Sequence, residues 1–480
     1  MKPPSALLTD LYQLTMAAAA WQSGKAENRA VFHLFFRKLP FGGGYAVAAG
    51  LEDALAFLEG FRFTAQDVAY LGTLRSGKGE PLFQKAFLEY LGAMKLDLRV
   101  DAIAEGTVVF PHQPLLRVEG PLVQAQLVET ALLNLINFQT LIATKAARIC
   151  EVAGDAPVIE FGLRRAQGPD GGLSASRAAY IGGCVATSNV LAGQALGIPV
   201  KGTHAHSWVM ANEDEQEAFD LYAEAMPDNS ILLVDTYDTL AGVAKAIETG
   251  KKLAAKGHRL DGIRLDSGDL AWLSIRAREM LDAAGFEDAR IVASNDLDEH
   301  LIETLQQQGA RIDVWGIGTK LVTGGDQSAL GGVYKLGAIR GADGQWQPRW
   351  KRSEQIAKAS IPGILQVRRF ERDGKFIGDA IYDESRILPS NVTVVDAIDP
   401  LRRKVIPKGT TGYNLLQPVM ADGKRTTPAV PLTKIQERAK QQIASLDPTI
   451  RRLTNPHPYP AGLESGLARH REELNKESFA

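Results

Sequence analysis

Two histidines stand two apart in Gly202-Thr203-His204-Ala205-His206-Ser207, directly after the apolar stub Ile198–Val200. A loop histidine flanked by hydroxyls and small residues suits nucleophilic or acid–base work. The same spacing suits a pair of metal ligands, but a zinc site needs further ligands from other strand ends. His258 precedes its predicted strand and His300 falls inside a predicted helix, so neither is expected to supply one. A second constellation is Arg264-Leu265-Asp266-Ser267-Gly268-Asp269. Strand alternation puts Arg264 and Asp266 on one face. A cation and a carboxylate there can hold an anionic ring and a sugar hydroxyl, or a metal; the plainer alternative is an internal ion pair. Gly316-Ile317-Gly318-Thr319-Lys320 offers close backbone approach and free N–H groups for a phosphate, and Ser294-Asn295-Asp296 offers further donors. Arg164 and Arg165 add two adjacent cations.

The elements that must position these residues show a regular rhythm. Strand-like runs occur at 157–161, 198–202, 230–235, 261–265, 290–294 and 312–316. Helical patterns lie between them at 174–196, 209–226, 239–256, 270–284 and 298–309. The repeat is about thirty residues, the size of a βα unit, which predicts a parallel α/β sheet, closed as a barrel or open and doubly wound. Each constellation sits just after a strand-like run, the end at which α/β enzymes place their chemistry. Before this region, 7–22 reads as a helix and 29–37 as a strand, and 97–123 has the texture of a small β-rich unit. After about residue 340, Lys335 to Arg352 and Leu365 to Asp383 read as antiparallel strands, and 431–446 and 462–477 as charged helices. The organisation expected is a mixed N-terminal domain (1–130), an α/β barrel carrying the site (131–340), and β-rich and helical C-terminal segments (341–480) associated with the first.

Gly72-Thr-Leu-Arg-Ser-Gly77-Lys78-Gly79 nearly fits a P-loop, but Gly79 stands where a metal-binding Ser or Thr belongs and the preceding segment is helical in pattern. The net charge of −2 over 480 residues argues against a general nucleic-acid footprint, without excluding a local basic pocket. Two cysteines, Cys150 and Cys184, are too few for a disulfide framework. No secretory signal and no uninterrupted apolar run of about 18 residues is visible, so a cytoplasmic protein without membrane attachment is the expectation.

Taken together, the motifs resemble the nicotinate phosphoribosyltransferase family over about residues 7–390. They are Leu8-Thr-Asp-Leu-Tyr12-Gln-Leu-Thr-Met16, Phe41-Gly-Gly-Gly-Tyr-Ala46, Glu160-Phe161-Gly-Leu-Arg164-Arg165, Gly202-Thr203-His-Ala-His206-Ser207, Arg264-Leu-Asp266-Ser-Gly-Asp269 and Gly316-Ile-Gly318-Thr319-Lys320-Leu321. The resemblance implies a type II phosphoribosyltransferase fold with an irregular α/β barrel. It implies transfer of phosphoribose from phosphoribosyl pyrophosphate to nicotinate, the first step of NAD salvage from that acid. It further implies that ATP hydrolysis is coupled, ligase-fashion, through a phosphorylated histidine. By that resemblance His206 is the phosphohistidine, Tyr12, Thr203 and Arg264 meet nicotinate, and Thr319 meets the phosphoribosyl phosphate.

The chemistry of the substrates extends the expectation. A pyridine ring needs an aromatic face, for which Tyr12 and Phe161 are candidates, and its carboxylate needs Arg264, Arg164 or Thr203. Asp266, Asp269, Ser294, Asn295, Gly316 and Gly318 are expected around phosphoribosyl pyrophosphate, with magnesium on Asp266 and Asp269. A homodimer with shared sites is implied, in which Tyr12 serves the neighbour. The alternatives are a nicotinamide phosphoribosyltransferase, a barrel metal-dependent hydrolase and a non-catalytic homologue. The nicotinamide enzyme would place an acid after the Arg164 position; none occurs between Asp170 and Glu213, and residues 187–189 are Thr-Ser-Asn.

Overall fold

In the second half of the N-terminal 330 residues, short apolar runs end in polar residues, and each run becomes a strand whose polar end opens into a loop. The structure, a computed structural model, describes residues 5–351 and 360–477. It divides into two units, Met1–Leu141 with Ala329–Ala480, and Ile142–Ser328.

Among the described residues the first unit has two large sheets and a two-stranded one, Ala46–Val47 with Val108–Val109. One has seven antiparallel strands, in the order Trp346–Pro348, Gly332–Arg340, Arg29–Phe36, Leu116–Pro121, Arg99–Ile103, Leu416–Ala421 and Lys424–Arg425. Its strand Arg29–Phe36 is buried along almost its whole length, with Phe32, Leu34 and Phe36 packing in one core with Leu116 and Val118. Such burial on both faces explains why that run is apolar throughout instead of alternating. The other sheet has six strands and contains the hairpin Leu365–Arg372/Lys375–Asp383. Helices Leu432–Ala444 and Ser465–Glu477 stand where the charged helical patterns predict them. The glycine-rich Gly72–Gly79 stretch follows the helix Ala65–Leu71 and turns through the bond from Gly79 N to Ser76 O, so it is not a strand–loop–helix P-loop. Arg352, the last residue of one predicted strand, lies outside the described residues.

The second unit carries a six-stranded parallel sheet. In chain order its strands are β1 (Val158–Glu160), β2 (Ala186–Thr187), β3 (Ile231–Leu233), β4 (Gly262–Leu265), β5 (Arg290–Asn295) and β6 (Val314–Ile317). In space the order is β2-β1-β6-β5-β4-β3. The connecting helices are α1 (Gly168–Ile181), α2 (Val190–Leu196), α3 (His206–Met210), α4 (Glu215–Ala225), α5 (Thr239–Ala255), α6 (Leu270–Ala283), α7 (Glu299–Gln307) and α8 (Thr319–Val322). Among the described residues the sheet does not close into a barrel: β2 and β3 are its two edges, and a single parallel bridge, Thr187 to Val200, extends it beyond β2.

That bridge corrects one sequence expectation. Residues 198–202 do not form a strand, and a strand appears instead at Ala186–Thr187, inside the window predicted as one helix from 174 to 196. Gly182 and Gly183 (φ 120°) end α1, and left-handed Gly197 (φ 69°) ends α2. Glycine tolerates these angles where L side chains do not, so the chain is cut into helix, strand and helix. Pro199 has no N–H to give a ladder, which leaves the 198–202 stub a loop.

A long helical stretch, Leu122–Ala153, is apolar enough by composition to cross a membrane, yet 61% of its most apolar window is buried inside the protein. A core helix of a soluble fold passes the same test.

Candidate active site

Parallel register sets the site. Leu233 pairs with Arg264, Arg264 with Val292, and Ser294 with Gly316. Asp235, Asp266, Ser294 and Gly316 therefore come to adjacent C-terminal ends of β3, β4, β5 and β6. Asp266, Ser294 and Gly316 border a cleft of about 200 Å3 there, lined also by Phe161, Arg164, Arg165, Arg264, Asn295, Asp296, Gly318 and Thr319. A larger cavity of about 660 Å3 opens at the opposite strand ends, among Pro157, Ile231, Arg259, Asp261 and Arg290, and touches Phe161 and Thr203. Both are lined by charged residues, but the smaller cleft is the one at the C-terminal strand ends, where Arg164, Arg165, Arg264 and Asp266 converge.

Arg264 is the hub. Its Nε donates to Ser294 Oγ (2.8 Å), Nη1 to Thr203 Oγ1 (3.1 Å) and Nη2 to Asp266 Oδ1 (3.0 Å). The guanidinium lies 5.7 Å from the centre of the Phe161 ring. That ring lies over Gly316, where a Cβ would come within 2.6 Å of it, so only glycine lets the aromatic face lie there. Asp266 Oδ1 also accepts from Ser294 Oγ. Burial pushes the Asp266 carboxyl up, but the Ser294 hydroxyl and the Arg264 charge outweigh it and hold it below the usual aspartate range.

His206 opens α3. Its Nδ1 meets Thr236 Oγ1 at 3.1 Å, and its Nε2 stands 3.7 Å from Asp266 Oδ2 and 4.0 Å from Asp235 Oδ1. Asp235 is buried. Its Oδ2 accepts from Asp266 N (2.8 Å) and Ser267 Oγ (2.7 Å), while its Oδ1 has no hydrogen-bond partner among the described residues. A buried carboxylate oxygen left open toward a histidine and a second carboxylate is poised for a cation or for the protonated ring. Asp235 and Thr236 are not among the site residues expected from the sequence. Their signal was the apolar triplet Leu232–Val234 running into Asp-Thr, the same strand-end pattern as Ile263 to Asp266.

The two histidines part company. His204 is 8% exposed, and its Nε2 accepts a hydrogen bond from Leu233 N at 3.1 Å. It therefore faces into the fold and is unavailable as the second member of a metal pair. Among the described residues no group of three or more His, Cys, Asp or Glu side chains is arranged to hold a metal.

Other expected residues take these positions. Arg164 and Arg165 lie on the turn after β1 and are exposed at the cleft. That turn is held from beneath by buried Glu160, which accepts from Gly162 N, Ser176 Oγ (2.8 Å) and Thr187 Oγ1 (2.5 Å). Asn295 adopts φ 139°, a conformation rare for a side-chain-bearing residue, at the cleft edge. Gly318 has φ −112° and ψ −104°, outside the regions open to L residues, and leads into Thr319 at the start of α8. Asp269 caps α6, its Oδ1 accepting from Trp272 N (3.0 Å), and is not among the cleft-lining residues. Tyr12 belongs to the first unit, on the helix Leu11–Gln22, with its ring half exposed.

Fold and cleft together define an α/β protein with a cation-lined cleft at the C-terminal edge of a parallel sheet, the place where such folds hold small ligands. Residues 7–137 match the N-terminal domain of nicotinate phosphoribosyltransferase, 157–358 the nicotinate phosphoribosyltransferase family, and 366–471 the C-terminal domain. The chain is 45% identical over 468 residues to nicotinate phosphoribosyltransferase of Bacillus subtilis (strain 168), covering 95% of this chain and 92% of that one. It is similar to the crystal structure of human nicotinic acid phosphoribosyltransferase, with TM-score 0.84, 34% identity, and 97% and 99% of the two chains covered. At 22% identity it shares its fold with nicotinate-nucleotide pyrophosphorylase from Pyrococcus furiosus (TM-score 0.69, 92% and 95% covered). The chain belongs to the nicotinate phosphoribosyltransferase family.

Proposed function

We propose that the protein joins nicotinate to the phosphoribosyl group of phosphoribosyl pyrophosphate, giving nicotinate mononucleotide and pyrophosphate, and couples this to ATP hydrolysis through phosphorylated His206. The pyridine nitrogen forms a bond to ribose C1 as the C1–O bond to pyrophosphate breaks. The observation that carries the reading is the Arg264 hub beside His206: a guanidinium, two hydroxyls and an aromatic face fit an aromatic acid, and an imidazole stands 3.7 Å from a cleft carboxylate. The nicotinate carboxylate takes Arg264 with Thr203 and Arg164, its ring rests on Phe161, and Tyr12 of a second subunit supplies the other face in a cytoplasmic homodimer. Asp266 and Asn295 take ribose hydroxyls, and Ser294 braces both Arg264 and Asp266. The backbone of Gly316 and Gly318 with Thr319 takes the 5-phosphate.

With Nδ1–H donating to Thr236 Oγ1, the lone pair of His206 lies on Nε2, the nitrogen turned to the cleft, and that atom bonds the γ-phosphorus of ATP as the bond to the β–γ bridging oxygen breaks and ADP leaves. Hydrolysis of the P–N bond then returns the free imidazole and phosphate. Magnesium, when bound, would neutralise the polyphosphates; Asp235 Oδ1 and Asp266 Oδ2 fit it better than Asp269, whose Oδ1 is spent on its cap. No carboxylate stands at 187–189 to accept from an amide, and the Thr187 hydroxyl is committed to Glu160, which favours nicotinate over nicotinamide.

The test is an assay with phosphoribosyl pyrophosphate and magnesium, offering nicotinate, nicotinamide or quinolinate with and without ATP. Nicotinate alone is expected to give mononucleotide, faster with ATP; turnover of nicotinamide instead would overturn the assignment. His206→Ala is expected to abolish the ATPase and the stimulation by ATP while leaving slow ATP-independent transfer. An acid-labile phosphoenzyme still formed by that variant would remove His206 from its role.

A further inference from the structure

His204 has no part in the chemistry above, yet it is a buried imidazole two residues from the phosphoryl acceptor. Its surroundings are specific. The ring stands edge-on to Tyr222 of α4 (centroids 4.8 Å apart) with Phe219 at 6.1 Å. Its Nε2 is 3.1 Å from the backbone nitrogen of Leu233. A backbone amide only donates, so Nε2 must carry the lone pair and the proton must sit on Nδ1, which points toward Ala205 O at 3.4 Å. Burial, first, and then the nearby Arg264 and His206 push the ring down to about 4, consistent with a neutral acceptor.

The identity of the donor matters most. Leu233 is the last residue of β3, and β3 is an edge of the sheet, bonded on one side only, to β4. Its N–H toward the open side has no strand to take it, and a buried unpaired N–H is costly. The imidazole takes the place of the missing strand. The same bond ties the 203–206 loop to the strand that continues into Asp235 and Thr236, the two residues that face His206.

We infer that His204 is a positioning residue: its neutral ring seals the edge of β3 and, through Leu233, fixes the loop so that His206 meets Thr236 and Asp235 in register for phosphoryl transfer. The inference rests on the reading of His206 as phosphoryl acceptor. It assigns the two histidines opposite tasks, one as a permanent acceptor for the backbone and one as a nucleophile, which explains why both are histidine in one short loop.

Two variants separate this from simple packing. His204→Phe keeps a ring against Tyr222 and Phe219 but removes the acceptor; His204→Gln loses the ring but restores an acceptor oxygen at a similar reach. Labelled phosphate uptake from ATP is expected to fall about tenfold or more in His204→Phe and to stay within about threefold of wild type in His204→Gln. ATP-independent transfer at saturating substrate is expected to hold in both. Equal uptake by the Phe variant and wild type, or a Gln variant as impaired as Phe, would overturn the proposal, as would parallel loss of every activity with thermal stability. A second measurement does not depend on phosphorylation: nitrogen-15 imidazole spectra of the full chain at pH 8, where free imidazole is neutral. His204 is expected as the Nδ1–H tautomer, and the His206 resonances are expected to shift in the Phe but not the Gln variant. An Nε2–H tautomer for His204 would overturn the proposal even if the Phe variant fails to fold. If the wild-type enzyme takes no phosphate on His206, the function proposed above fails, and these spectra still decide what His204 does.

Discussion

Two of the arginine–aspartate pairs in the molecule share a chemistry and meet opposite fates. In the first unit, Arg369 and Asp379 are both fully buried. Arg369 donates to both Asp379 oxygens (2.9 and 2.6 Å), to Gln442 and to Val108 O, and lies 4.5 Å from the centre of the Phe376 ring. Asp379 accepts in addition from Gln113 and Tyr459. In the second unit, Arg264 and Asp266 are 15% and 24% exposed, and Asp266 keeps one oxygen turned to His206. Closure makes the first pair a staple between strands Leu365–Arg372 and Lys375–Asp383. Incomplete closure makes the second a receptor. What distinguishes a site from a strut is the unspent valence, not the residue types.

The largest effect expected from breaking this contrast is on stability. Asp379→Ala strands a buried guanidinium, and such losses cost about 3–5 kcal/mol. Urea unfolding is expected to show that drop with little change in the nicotinate KM of the molecules that remain folded. A variant as stable as wild type would mean that the pair is not closed in solution.

Arg264→Ala should invert the outcome. Losing a charged hydrogen bond to nicotinate costs about 1.5–3 kcal/mol, or about 10- to 150-fold in its KM. The urea midpoint should move much less than for Asp379→Ala, and ATP binding should be nearly unaffected. A nicotinate KM unchanged in this variant would sink the receptor role. Ser294→Ala is milder: its hydroxyl accepts from the Arg264 guanidinium and donates to the Asp266 carboxylate, but these two stay paired with each other when it is removed, so about 0.5–1.5 kcal/mol of nicotinate binding is at stake. The expected rise in nicotinate KM is about 2- to 12-fold. Ser294 also helps keep Asp266 below the ordinary aspartate range. The charge of Asp266 is present above the usual aspartate pKa and is lost as pH falls through its lowered value. Removing the hydroxyl should therefore move the acid limb of nicotinate binding to higher pH; an unmoved limb would show that Arg264 alone sets it.

How much of this contrast could be read before any coordinates follows from where each partner lies in the chain. Arg264, Asp266, Ser294 and Gly316 were legible, because each ends an apolar run and parallel register brings run ends together. Phe161 was legible for the same reason; Thr203 reaches Arg264 although the run before it, 198–202, is a loop and not a strand. Asp235 and Thr236 lay in plain view, but their partner His206 is some thirty residues away, and no local pattern encodes that contact. Asp269 shows the opposite failure. It has the same spacing from a strand as a ligand would, and the structure spends it on capping α6, a task aspartate performs equally well. The strand at Ala186–Thr187 was hidden because two residues between glycines carry no period to detect. Whether the sheet closes was not legible at all, since edge pairing is set by loops such as 198–202 and not by the strands themselves.

The smallest effect tests the comparison through histidine. His33 of the first unit, like His204, uses Nε2 to accept from a backbone N–H, here Leu365 N at 3.1 Å. Burial and then Arg117 push it down to about 3. Its folded pKa is depressed below the unfolded value of about 6.5, so between those limits the unfolded chain binds a proton that the folded chain refuses. Stability from this group is therefore complete above about pH 6.5 and declines as pH falls toward 3. His33→Gln keeps an acceptor and cannot titrate, so its unfolding midpoint in urea is expected to lie below wild type at pH 7 and to fall less steeply from pH 6.5 to 5. Parallel curves for the two proteins would mean that His33 is already protonated in the folded state, and that the first unit's closed chemistry is less closed than its geometry requires.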